Sequence, residues 1–240
     1  MRIFARYFKI NVFMACILGI ETSTAVCSVA VSEDGVCVFE KEAREGPNHA
    51  VLLGVFIDEA LSFVDGRMLA LDAVAVSCGP GSYTGLRIGV SMAKGICVGR
   101  GIPLIGIPTL ELLCVPLLLS DKLECDEALL CPMLDARRME VYAGVYDRSL
   151  CAERDVQPDV VDADTYKMFL DRGLVYFFGD GSEKCKAVIT DRNARFVDDM
   201  VPLARWMFPL AEKRFYEGRF EDVAYFVPNY LKGFELRIKN

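Results

Sequence analysis

Val74-Ala75-Val76-Ser77-Cys78-Gly79-Pro80-Gly81-Ser82-Tyr83-Thr84-Gly85-Leu86-Arg87-Ile88-Gly89-Val90-Ser91-Met92-Ala93-Lys94-Gly95-Ile96-Cys97-Val98-Gly99 changes character partway. The apolar run from Leu71 to Ser77 reads as a buried strand, Gly79-Pro80-Gly81 breaks it, and Tyr83 to Gly99 reads as a helix. The helix carries a small side chain at every fourth position, Gly85, Gly89, Ala93 and Cys97, along one face. Its glycines 85, 89 and 95 together cost about 2 to 3 kcal/mol of helix propensity relative to alanine. Something must offset that cost. The simplest offset is another helix packed closely against the small face, either inside the same lobe or across a subunit interface. The interface version is favoured, and on it Gly89→Leu leaves a folded monomer that assembles poorly.

Working outward, Ala15 to Thr22 and Cys27 to Ser32 read as strands, and Asp34-Gly35 turns the chain into a third, Val36 to Phe39. Pro47 and Asn48 announce a helix in which Leu52, Phe56, Ala60 and Val64 recur at helical spacing. On the other side, Leu104 to Ile107 is a strand and Thr109 can cap the helix after it. The polar stretch Asp121 to Glu127 is the best linker candidate. Beyond it come strands at Leu129 to Leu134, Glu140 to Tyr146 and Val175 to Phe178, with helices near Thr165 to Leu170 and after Gly181. A hairpin mixed with strand-helix-strand crossovers predicts an α/β fold with a mixed sheet flanked by helices in each of two lobes. The lobes are expected at residues 14–120 and 121–240, the C-terminal segment packing back on the first. Residues 1–13 are expected to be a disordered extension, with Met14 the natural start.

The formal charge of −7 and a pI near 4.9 repel phosphate backbones unless basic residues are locally concentrated. No run of Lys and Arg is interleaved with aromatics, so any contact with RNA is expected to be indirect. The two nearest of the ten cysteines, Cys125 and Cys131, stand six positions apart, which rules out a CxxC metal or redox motif and leaves buried free thiols in a reducing cytosol. Basic residues precede an apolar stretch at the start, but Arg6 and Lys9 interrupt it, so it does not read as a signal peptide. No stretch reaches the roughly eighteen apolar residues of a membrane span.

Three segments could carry chemistry. Gly19-Ile20-Glu21-Thr22-Ser23-Thr24 ends a strand in a hydroxyl-rich loop that could hold a phosphate, Glu21 orienting a metal-bound water, or could simply satisfy its own turn. Gly79, Gly81, Ser82 and Thr84 lie at a helix start whose N–H groups can accept an anion, although a P-loop Lys is absent. At Leu134 to Tyr142, Asp135 with Arg137 is either a substrate clamp or a local ion pair between strands. His49 is the only histidine and stands at a helix entrance, where capping or a surface role suits it, so histidine-based metal sites and Ser-His-Asp chemistry find little support.

Four segments, taken together, are similar to the TsaB (YeaZ) family: Ile17 to Gly35, Val74 to Leu113, Met133 to Asp147 and Pro228-Asn229-Tyr230-Leu231. The resemblance implies a two-lobed actin, Hsp70 and sugar-kinase (ASKHA) fold. It implies a cytoplasmic, metal-free, non-catalytic subunit required for threonylcarbamoyl transfer to N6 of adenosine 37 in tRNAs reading codons that begin with A. The partners it implies are a metal-bearing TsaD-type paralogue that carries the transferase site, a TsaE-type ATPase, and a second copy of the chain when it is alone, with no membrane contact. Their contact surface would be the helices Asn48 to Val64 and Tyr83 to Gly99, with Leu52, Phe56, Gly85, Gly89, Ala93 and Cys97 at the interface. Thr22, Ser23, Gly79, Gly81, Ser82 and Thr84 would be a vestigial nucleotide loop, with no cofactor required and at most weak binding of ATP or ADP. Glu21 stands where many relatives carry Asp, which weakens a phosphate or metal role there. The alternative is a phosphotransferase of the same fold; a glycoprotein peptidase lacks metal ligands and a nucleophile-base pair.

Overall fold

The computed structural model describes residues 15–44 and 49–231. The first sheet has the order β3-β2-β1-β4-β5, from β1 (Cys16–Glu21), β2 (Cys27–Glu33), β3 (Val36–Ala43), β4 (Ala73–Gly79) and β5 (Leu104–Pro108). The first three form an antiparallel meander, and β4 and β5 continue in parallel with β1. The second sheet repeats this plan as β8-β7-β6-β9-β10, from β6 (Leu129–Asp135), β7 (Glu140–Tyr146), β8 (Ala152–Val160), β9 (Val175–Phe178) and β10 (Ala194–Val197). Again three strands meander and two run parallel to the first. The expected pair of mixed sheets flanked by helices is what the chain forms.

The parallel pairs need crossovers, and helices supply them in the first sheet: α1 (His49–Gly66) and α2 (Tyr83–Arg100). Leu53, Ile57, Ala60 and Val64 of α1 join Val90, Ala93 and Cys97 of α2 over one face, against Leu18, Ile20, Val29, Val74 and Val76. The other face carries Ile17, Ala75 and Ile107 and is covered by α5 (Phe208–Tyr216) and the 3-10 turn before it, through Met207, Phe208 and Ala211. Helix α3 (Thr109–Leu118) is apolar nearly all round because it is buried nearly all round. Leu112 faces the first sheet, while Leu110, Leu113, Cys114 and Leu117 meet Leu134, Tyr176 and Phe178 of the second. The residues from Glu221 to Tyr230 return to the first sheet, where Glu221 N donates to Leu104 O on the edge strand β5.

Several sequence expectations shift. The helix near Thr165 shortens to α4 (Lys167–Leu170), and the one after Gly181 is a 3-10 turn at Glu183–Cys185. Strand β8 went unread because Ala152-Glu153-Arg154-Asp155-Val156-Gln157-Pro158-Asp159-Val160 is polar and contains a proline, a composition that suits an edge strand. All ten cysteines are free, but Cys37 and Cys151 are exposed rather than buried. The Pro47-Asn48 helix start, and the extension with its Met14 start, lie outside the described residues. Among the described residues no helix is long and apolar enough to cross a membrane.

Edge strand β8 is anchored by a buried carboxylate. Asp159 accepts hydrogen bonds from Arg154 Nη2 (2.5 Å), Gln157 Nε2 (2.8 Å) and Tyr166 OH (2.7 Å), and the Arg154 guanidinium lies over the Tyr166 ring. Removing one partner strands the buried guanidinium. Asp159→Ala is expected to destabilise the chain by about 3 to 5 kcal/mol in urea unfolding followed by circular dichroism, whereas truncating the exposed Glu153, paired with Arg172, shifts the midpoint little.

Candidate functional site

Strands β1 and β4 end side by side, and the loops that leave them are stapled together. Ser82 N donates to Ser23 O at 2.6 Å, and the buried Thr22 Oγ1 donates to Gly85 O at 2.8 Å. The approach is closer than any side chain permits: a Cβ would lie 2.3 Å from Ser23 O at Gly81, 2.1 Å from Thr22 O at Gly85 and 2.3 Å from Thr22 Oγ1 at Gly89. Beneath the staple Glu21 is fully buried, accepting from Ser23 N at 2.5 Å through Oε1 and meeting Ser77 Oγ through Oε2. Burial pushes its carboxyl above the ordinary value, against the hydrogen bonds from Ser23 and Ser77.

Of the loop residues expected to form one site, Thr22, Ser23, Gly81 and Ser82 do meet, while Thr84 is exposed on the first turn of α2. Three of the N–H groups around the start of α2 are taken within the chain. Gly85 N goes to Ser82 Oγ, Leu86 N to Ser82 O, and Ser82 N to Ser23 O. Gly79 is covered by the C-terminal segment: Asn229 N donates to Cys78 O at 2.7 Å, and a Cβ on Gly79 would lie 2.6 Å from Asn229 O. Glu21 is buried beneath this loop, its carboxylate oxygens taken by Ser23 N and Ser77 Oγ.

The interface assignment of Gly85, Gly89, Ala93 and Cys97 is corrected. All four are buried on the inward face of α2, and the loop at Thr22, not another helix, fills the space beside the two glycines. Gly89→Leu would therefore drive a side chain into Thr22, and the expectation of an intact monomer falls with it. On α1, Leu52 and Phe56 are half-buried, Phe56 packing on the core of the first sheet. The residues turned outward are different: Val51, Gly54 and Val55 on α1, and Met92, Gly95, Val98 and Gly99 on α2. Val51 and Val98 are 67% and 74% exposed, and a Cβ added to Gly54, Gly95 or Gly99 would meet nothing within 4 Å. The two helices lie on one side of the sheet and are joined at their ends by a two-pronged Arg100–Asp65 pair. Their outer faces form one surface.

In the second sheet, Asp135 does not pair with the Arg137 side chain. Its carboxylate accepts from Arg137 N at 3.0 Å and binds Lys184 Nζ, which also donates to Glu140 O. Among the described residues no group of three or more His, Cys, Asp or Glu side chains could hold a metal ion.

A profile described as TsaD, tRNA N6-adenosine threonylcarbamoyltransferase, matches residues 43–227. The tRNA threonylcarbamoyladenosine biosynthesis protein TsaB of Bacillus subtilis (strain 168) is 31% identical over 178 residues, covering 73% of this chain and 75% of that protein. The chain belongs to the TsaB (YeaZ) family. The TsaB of Escherichia coli (strain K12) is 28% identical over 227 residues, 90% of this chain and 94% of that one. The structure of YeaZ from Pseudomonas aeruginosa superposes with a TM-score of 0.72 at 23% identity, over 91% of this chain and all of that one, so the fold is that of YeaZ. The TsaD profile begins at the last residue of β3 and takes in α1, α2 and the second sheet, leaving β1 and β2 outside it.

Two outcomes follow from the staple. Gly89→Ala is expected to lower stability by about 1 to 3 kcal/mol through overpacking against Thr22, while Gly95→Ala raises it by about 1 kcal/mol because its Cβ enters open space; paired chemical denaturation curves check both signs. Glu21 has a folded pKa above its ordinary 4.5, so its contribution is present at low pH and is lost as pH rises through the folded value. The stability of Glu21→Gln relative to the natural chain is expected to increase from pH 4.5 upward, and thermal melts across pH read this directly.

Proposed function

We propose that the chain acts in tRNA threonylcarbamoyladenosine biosynthesis as a non-catalytic subunit that binds and organises a TsaD-type transferase. The observation that carries this reading is the outer surface of α1 and α2. Glycine inside a helix costs about 1 kcal/mol relative to alanine, and at Gly54 and Gly95 nothing among the described residues repays it. Exposed Val51, Val55, Met92 and Val98 lie on the same helix faces as these gaps, giving apolar side chains on which a second helix pair can pack at short range. The match to the TsaD profile supports the choice of partner: it spans α1 and α2, and two chains with similar helices can pair through the same helical faces about a pseudo-two-fold axis.

On this reading the chain self-associates through the same surface when alone and exchanges into the mixed complex, which a TsaE-type ATPase then joins. Contact with tRNA is indirect, the compartment is the cytoplasm, and no cofactor is needed, the cleft taking ATP or ADP weakly at most. Sedimentation velocity of the chain mixed with its organism's TsaD-type protein tests the pairing. Gly95→Arg is expected to keep or raise the melting temperature and to weaken association at least tenfold; undiminished association would sink the surface. ATP turnover by the purified chain alone would instead favour a phosphotransferase.

A further inference from the structure

The outer faces of α1 and α2 are small for a lasting contact. Among the described side chains six on α1 and eight on α2 are exposed, whereas a stable protein interface engages about 20 to 30 residues a side. The C-terminal segment from Glu221 to Tyr230 enlarges that surface. Helix α1 lies over β2 and β3 and α2 over β4, while Glu221 N donates to Leu104 O on the edge strand β5, so the segment runs along the flank of α2 that faces away from α1. Val223 and Phe226 pack on the core that α1 and α2 cover, and Pro228 is buried, which seats the segment firmly on the helix side of the sheet.

Tyr83, Arg87 and Lys94, at positions i, i+4 and i+11, share this flank of α2. Lys94 Nζ donates to Ala224 O and Phe226 O at 3.1 Å each, and Tyr230 packs on Tyr83 with ring centroids 4.8 Å apart. The Arg87 guanidinium lies over the Tyr83 ring and donates to its hydroxyl at 2.8 Å. With Val223, Phe226 and Pro228 turned in, Tyr225 and Val227 are turned out, 83% and 68% exposed. Large apolar side chains held in solvent on a well-seated backbone mark an interaction surface, and tyrosine and arginine already fixed by their neighbours lose little side-chain entropy on binding. We propose that the partner surface continues past α2 onto the C-terminal segment, where Tyr225, Val227 and Tyr230, with Arg87, anchor the same TsaD-type protein; this rests on the reading of the outer helix faces given above. The partner surface that fits it offers an apolar hollow to Tyr225 and Val227 and a carboxylate to the exposed Arg87 guanidinium.

Sedimentation velocity with the TsaD-type protein of the same organism reads the effect, Gly95→Arg reporting on the helices alone. Tyr225→Ser and Val227→Ser remove exposed side chains and are each expected to leave the melting temperature unchanged while weakening association by about tenfold or more. Segment variants that bind like the unaltered chain while Gly95→Arg binds poorly would refute the extension and leave the helix surface standing. A Gly95→Arg chain that binds undiminished would remove the helix surface and the extension with it. Footprinting gives an answer without any variant. With the chain dilute enough to be monomeric alone, hydroxyl-radical oxidation of Tyr225 is expected to slow severalfold on adding the partner, while the exposed Tyr216, on α5 across the sheet, is unchanged. Tyr225 oxidised in the complex at its free rate overturns the proposal.

Discussion

The first sheet and its helices depend on the contact between Thr22 and helix α2. The Thr22 hydroxyl donates to the Gly85 carbonyl, and the Thr22 side chain occupies the place where a Cβ on Gly89 would stand. That contact fixes how closely the helix approaches the end of β1, and glycine is the residue that allows it. It joins the loop after β1 to the loop after β4, with the Ser82–Ser23 backbone bond beside it and the buried Glu21 carboxyl below. With the inward face of α2 taken up in this way, the surface left for a partner is the outward one.

The rest of the molecule is organised around the same strand ends. Each sheet is a three-stranded meander followed by two parallel strands, and α3 fills the space between the sheets with apolar residues on both sides. Free sheet edges are dealt with locally. The C-terminal segment bridges β5 at Leu104 through Glu221, and Pro158 with its charged neighbours marks β8 as an edge.

Much of this was legible in the sequence, and the failures are instructive. The strands from β1 to β5 and the first three helices announce themselves by apolar runs, by period and by breakers such as Gly79-Pro80-Gly81. Strands β8 and β10 and helix α5 are not legible in the sequence, β8 because an edge strand with a polar network at Asp159 carries no apolar alternation. The cost of the α2 glycines was read correctly, but its offset was assigned to the wrong neighbour. Two sets of small residues, Gly85 and Gly89 on one side and Gly95 and Gly99 on the other, look alike in sequence, and only the position of the Thr22 loop separates them. Asp135 misled for a similar reason: Lys184, its ion-pair partner, lies 49 positions away, whereas Arg137 two residues on supplies only its backbone N–H.

The central claim is that the outer surface of α1 and α2 receives the partner. Hydroxyl-radical footprinting of methionine side chains tests it at a single residue, because Met92 lies on that surface and the exposed Met168 lies on α4 beside the second sheet. On adding the TsaD-type protein of the same organism, Met92 oxidation is expected to slow severalfold while Met168 is unchanged. Protection of Met168 with Met92 unaffected would contradict the account.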